Sequence, residues 1–122
     1  MKIAISSDGK DINGLVAEVF GRCPYFLIVE ISAKGGSASG GDDKTIKEFE
    51  VAENTSVNQT TGAGISVAQM IAGKNVNAVI TGNIGPRALE VLKQFDIQIY
   101  KGFGLVSEVI NKFIEGTLEE IK

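Results

Sequence analysis

The sequence predicts an α/β domain, a mixed sheet with helices packed on it. Three observations predict it. Short runs rich in branched and aromatic residues follow one another in the first half. In the second half such runs alternate with repeats of helical period. Residues 1–122 are too few for two cores and, at 43% hydrophobic, sufficient for a single domain.

The first strand is Lys2 to Ser6, closed by the turn residues Ser7-Asp8-Gly9-Lys10. Asp11 to Val19 is ambiguous, because Ile12, Leu15, Val16 and Val19 have helical spacing around Gly14. Phe20-Gly21-Arg22-Cys23-Pro24 reads as a loop, and Tyr25 to Ile31 as the second strand. Ser32 to Lys44, with four glycines, reads as a flexible connection to a third strand over Ile46 to Val51, which closes a hairpin. Glu53 to Gly64 is polar and long for a connection without function.

A helix follows, with Ile65, Ala68, Ile71 and Ala72 on one stripe and Gly73 at its end. Val76 to Thr81 is a buried strand. Gly82-Asn83-Ile84-Gly85 then turns into a helix that starts at Pro86 and carries Ala88, Val91, Leu92 and Phe95. Ile97 to Tyr100 is the last predicted strand. After Lys101-Gly102-Phe103-Gly104, a final helix bears Val106, Val109, Ile110, Phe113 and Ile114 and stops at Gly116. The strand–helix–strand units require parallel pairs joined by right-handed crossovers, whereas the first half reads as an antiparallel meander.

Composition excludes several chemistries. The chain has no histidine, so Ser-His-Asp catalysis, HExxH zinc sites and histidine pH switches are ruled out within it. One cysteine precludes an intrachain disulfide and a four-cysteine cluster site. The net charge of −3 and the absence of a basic run argue against nucleic-acid binding. No signal peptide or membrane span is legible, and a lone cysteine fits the reducing cytoplasm. Glycine is abundant, at 15 residues.

In open α/β sheets, ligands bind beyond the carboxyl ends of the parallel strands. Four segments fall there: Ser6 to Gly9, Thr61 to Gly64, Gly82 to Pro86 and Lys101 to Gly104. Three precede helices, whose free N–H groups favour an anionic ligand. The candidate ligand-binding residues are Arg22, Cys23, Gly62, Gly64, Gly82, Asn83, Gly85 and Arg87. The structural alternative is that the glycines only make tight turns. No P-loop is present, and Gly62-Ala63-Gly64 opens a dinucleotide fingerprint that fails at Val67. Cys23 has two readings: a small half-buried apolar residue, or a thiolate ligand or nucleophile whose pKa the adjacent Arg22 would lower, which makes it the candidate metal ligand. Asp8, Glu30, Asp42, Asp43 and Glu48 could hold Mg²⁺ as in a nuclease, or simply be solvated.

Met1-Lys2-Ile3-Ala4-Ile5, Phe20-Gly21-Arg22-Cys23-Pro24-Tyr25-Phe26, Gly62-Ala63-Gly64-Ile65, Gly82-Asn83-Ile84-Gly85-Pro86-Arg87-Ala88 and Glu90-Val91-Leu92 occur in that order. Together they resemble the dinitrogenase iron–molybdenum cofactor biosynthesis family, which includes NifX-like carriers and the C-terminal part of NifB. The resemblance covers almost the whole chain. It implies a ribonuclease H-like fold, with a five-stranded mixed sheet in order 3-2-1-4-5 and strand 2 antiparallel to the rest. It also implies a non-catalytic role, binding an iron–sulfur or iron–molybdenum cluster or its precursor. The family commonly has histidine where this chain has Val19, and often near Ser56, Asn58 and Thr60. Of soft donors, this chain has only Cys23, Met1 and Met70. A metal-free phosphate- or nucleotide-binding module and a Mg²⁺ nuclease are the competing readings.

Overall fold

The computed structural model describes residues 2–31, 46–54 and 63–121. The predicted connection Ser32 to Lys44, together with Thr61 and Gly62, lies outside the described residues. Six strands form one sheet: β1 (Lys2–Ser7), β2 (Tyr25–Ile31), β3 (Ile46–Glu53), β4 (Ala78–Thr81), β5 (Gln98–Lys101) and β6 (Glu119–Ile121). Three helices are α1 (Ala63–Ala72), α2 (Pro86–Gln94) and α3 (Val106–Glu115). The strand order is β3-β2-β1-β4-β5-β6. The first three strands are an antiparallel meander, while β1, β4 and β5 run parallel.

The sheet therefore has six strands, not the five expected. The sixth, Glu119–Ile121, adds antiparallel to β5, with Ile99 opposite Ile121. It carries two adjacent acids and only one apolar residue, so it has no strand signature of its own. It forms because β5 presents an edge with unpaired backbone groups.

Period-two alternation sorts the strand residues onto two faces. Ala4, Phe26, Ile28, Val79 and Ile99 join Val67, Ala68, Ile71, Ala88 and Leu92, so α1 and α2 cover one face. Ile3, Ile5, Leu27, Val29 and Ile80 join Val106, Val109 and Ile110, so α3 covers the other. Both faces of β1 are dry, and a strand in such a place reads as a continuous apolar run rather than an alternating one.

Helix boundaries follow local chemistry. Pro86 occupies the first turn of α2, where its missing N–H costs nothing. Gly116 ends α3 in the left-handed region at φ 79°, which a side chain would resist. Phe95 is exposed, contrary to the predicted stripe, because α2 ends one residue earlier. Ile114 is likewise partly exposed at the solvent edge of α3. The ambiguous Asp11 to Val19 stretch is not a helix; it is irregular and makes isolated bridges to three separate parts of the fold.

Candidate functional site

Strands β1, β4 and β5 end side by side at Ser7, Thr81 and Lys101. Residues 15–19 cross this end as a strap. Leu15 bridges Leu105, Val16 bridges Ser7, and Val19 bridges Asn83. The Val16 N–H donates to the Gly104 carbonyl at 2.8 Å, and the Ala17 N–H donates to the Ser6 carbonyl at 2.9 Å. The Asn83 N–H donates to the Glu18 carbonyl at 2.7 Å, and the Phe20 N–H returns a bond to the Asn83 carbonyl at 2.9 Å. Beneath the strap, the buried Ser6 hydroxyl lies 2.8 Å from the Thr81 hydroxyl and 3.2 Å from the Ala17 carbonyl. The backbone groups that α/β sheets usually offer to a ligand at this end are thus partly used by the chain itself.

After the strap, the chain makes a 3-10 turn over Phe20–Arg22 and enters β2 through Cys23 and Pro24. Phe20 anchors this turn, edge to face with Phe26 at 5.3 Å between ring centroids. Cys23 is 2% exposed, and its Sγ–H donates to the Phe20 carbonyl at 3.4 Å. The Asn54 side-chain amide donates to the Cys23 carbonyl at 2.7 Å and to the Gly21 carbonyl at 3.3 Å, which ties the end of β3 to this corner.

Burial pushes the Cys23 thiol up to about 12, and the Asp8 carboxylate adds to the rise. Hydrogen bonds from the Ser7 and Cys23 backbone and from Asn54 pull the other way but do not offset it. The lowering that Arg22 would bring does not occur: its side chain is exposed to water, and burial sets the direction of the shift. At neutral pH, Cys23 is a protonated thiol.

An open cleft of ≈ 520 Å³ lies between the strap and the loop after β5. Asp8, the 15–19 segment, Arg22, Cys23, Phe103 and Gly104 line it. Its rim is apolar, with Leu15 53%, Val19 46% and Phe103 54% exposed. Two carboxylates, Asp8 and Glu18, oppose the single guanidinium of Arg22 among the charged lining residues. The cleft can therefore offer a cation at one point and apolar contact around it, but not a broadly positive surface.

Of the predicted ligand residues, only Arg22 and Cys23 line this cleft. Gly82 lies just below it. Asn83 gives its backbone to the strap. Gly64 sits where α1 approaches α2, and a Cβ there would meet the Ala88 Cβ at 3.4 Å. Gly85 caps α2 without a side-chain bond and has open space around it; Arg87 is exposed in the first turn. Sequence reasoning missed Leu15 and Glu18 as cleft residues, whereas Phe103 falls in the Lys101 to Gly104 segment expected at the ligand end and Val19 at the position where the family commonly has histidine.

Of these carboxylates, the described Asp8 and Glu30 do not come together. Asp8 follows the carboxyl end of β1, whereas Glu30 pairs with Lys2 at the amino end, ~17 Å away along the strand. Among the described residues, no group of three or more His, Cys, Asp or Glu side chains is placed to hold a metal ion. Asp42 and Asp43 lie outside the described residues. Among the described residues, no helix is long and apolar enough to cross a membrane.

Comparison with known proteins places these features in a family. The family model for dinitrogenase iron-molybdenum cofactor proteins matches residues 1–116. An uncharacterized protein of Methanocaldococcus jannaschii is 40% identical over 123 residues, covering 100% of this chain and 92% of its own length. The apo orange protein from Desulfovibrio gigas superposes with a TM-score of 0.80 at 25% identity, over 98% of this chain and 92% of that one. A candidate NifB protein from Thermotoga superposes with a TM-score of 0.74 at 34% identity, over 98% and 91% of the two chains. A candidate dinitrogenase from Methanocaldococcus jannaschii gives a TM-score of 0.72 at 31% identity, over 100% and 95%. With the match running from the first strand to the last turn of α3, the chain belongs to the dinitrogenase iron-molybdenum cofactor family.

Proposed function

We propose that this protein is a small non-catalytic binding protein of the reducing cytoplasm that takes an iron–sulfur or iron–molybdenum cluster, or its precursor, as cargo in the cleft between the strap and the loop after β5. One observation carries the reading. In a chain of this family, Arg22 and Cys23 come together in the wall of a cleft at the carboxyl end of the parallel strands. The first five strands, in order β3-β2-β1-β4-β5 with β2 reversed, support the finer assignment to a ribonuclease H-like fold.

The donor set does not fit a resident cluster ligated by one chain. There is no histidine, and the single thiol is held protonated. A thiolate bond from Cys23 would require loss of that proton and access through the cleft. Arg22 would face an anionic part of the cargo, and Leu15, Val19 and Phe103 its less hydrated part. The phosphate reading has in its favour Gly85 and Arg87 at the start of α2, where no side-chain cap bond is made.

The test is anaerobic reconstitution with iron(III), a thiol reductant and sulfide, followed by native mass spectrometry and visible absorbance. The wild-type chain is expected to retain added mass and show charge-transfer absorbance. Arg22→Gln is expected to weaken retention. Cys23→Ala separates thiolate ligation, which it abolishes, from binding through the other cleft residues, which it spares. A wild-type chain that retains nothing overturns the reading.

A further inference from the structure

Gly82, the first residue after β4, sits directly below the cleft. An added Cβ there would lie 2.9 Å from the Glu18 carbonyl oxygen, 3.0 Å from the Glu18 Cα and 3.1 Å from the Phe103 ring. Glu18 belongs to the strap and Phe103 to the loop after β5, the two walls of the cleft. The contacts differ in kind. A ring can rotate away, whereas Glu18 presents backbone. That backbone is fixed on the same side, because the Asn83 N–H donates to the Glu18 carbonyl at 2.7 Å and the Gly82 N–H donates to the Ala17 carbonyl at 3.3 Å. Real Cβ atoms do not approach backbone this closely, so the strap would have to lift. Backbone conformation does not require glycine here: among the described residues, the positive-φ glycines are Gly104 and Gly116.

We propose that Gly82 is the positioning residue of the cleft: its missing side chain lets the strap and the Phe103 loop close on each other. The closure fixes Val19, sets the 3-10 turn through the Phe20–Asn83 hydrogen bond, and so places Arg22 and Cys23. The close approach that Gly82 permits in the fold is that of the protein's own backbone. The inference rests on the cleft as the cargo site, but its structural content is measured without cargo.

Gly102 supplies the control. A Cβ there would meet the Ile80 and Val109 side chains at 2.9 and 3.0 Å, in the core under α3, with no strap backbone among its nearest contacts. Gly82→Ala and Gly102→Ala are therefore both overpacked, and only the first lifts the strap. Hydrogen exchange is measured on the full chain at the Phe20 and Asn83 amides, with labelling of Cys23 by an aromatic disulfide reagent alongside. In Gly82→Ala, both amides are expected to exchange roughly tenfold faster than in Gly102→Ala, with faster Cys23 labelling. Equal rates in the two variants, or wild-type rates in Gly82→Ala, overturn the proposal. If Gly82→Ala does not fold, Gly82→Ala/Phe103→Ala replaces it, since only the Glu18 contact then remains; the same two outcomes decide. Because no cargo enters these measurements, a wild-type chain that binds no cluster overturns the functional reading alone.

Discussion

Raising the pH across the alkaline range tests the burial of Cys23 directly. In the folded chain, burial holds the thiol at about 12, against 9.0 for an unperturbed one. A group with a raised folded pKa lends stability that is fully present below the unfolded pKa and is lost as pH rises through the folded one. The window is therefore pH 9 to 12. Between pH 8 and pH 10, the unfolded thiol ionises while the folded one stays protonated, so stability falls by about 1.4 kcal/mol from this group alone. Lysines and tyrosines also titrate there, so the comparison is with Cys23→Ala, in which they remain and the thiol does not. The assay is urea unfolding at pH 8, 9 and 10. For an m value of about 2 kcal/mol/M, the wild-type midpoint should fall roughly 0.7 M further than that of the variant. Parallel midpoints would refute the reasoning and place the thiol in contact with water. A pH dependence of opposite sign would mean that the folded site stabilises the thiolate, which was one of the two readings of the sequence.

Three further outcomes follow from the packing. Ser6→Ala should cost about 1–3 kcal/mol, because it leaves the buried Thr81 hydroxyl without its 2.8 Å partner; combining it with Thr81→Val should cost less than the sum, and additivity in a double-mutant cycle would show that the hydroxyls are uncoupled. Leu92→Ala, which empties a fully buried position between α2 and the sheet, should cost about 2–5 kcal/mol in urea unfolding; a loss below 1 kcal/mol would contradict that packing. Lys74→Ala removes a 2.9 Å pair with Glu50, a third to a half exposed, and should change stability by less than about 1 kcal/mol, with no difference left in concentrated salt.

Legibility followed the range of the forces involved. The strand at Tyr25–Ile31 and the helices at Pro86 and Val106 could be read because their signals, β-branched runs, Pro at a helix start and i, i+3, i+4 repeats, are local. For Cys23 the sequence left two readings, a thiolate beside Arg22 and a small buried apolar residue, and burial, which only the fold supplies, favours the second. Gly82, Gly64 and Asn83 likewise kept two readings, ligand contact and tight turn. A glycine that admits a phosphate and one that admits another part of the chain look identical until the other part is placed.

By itself, the sequence determined the α/β class, the parallel pairs, both apolar faces of the central strands and the family, because these depend on periodicity and on contiguous motifs. It also determined the missing histidines and the single thiol, and hence the poverty of metal donors. Tertiary structure alone decided that residues 15–19 form a strap across the strand ends, that β6 joins the sheet, and that Arg22, Cys23 and Phe103 share one cleft. The physical reason is that these features are made by backbone hydrogen bonds and desolvation between segments up to ninety residues apart, such as the Val16–Gly104 bond, and no local pattern encodes which segments will meet.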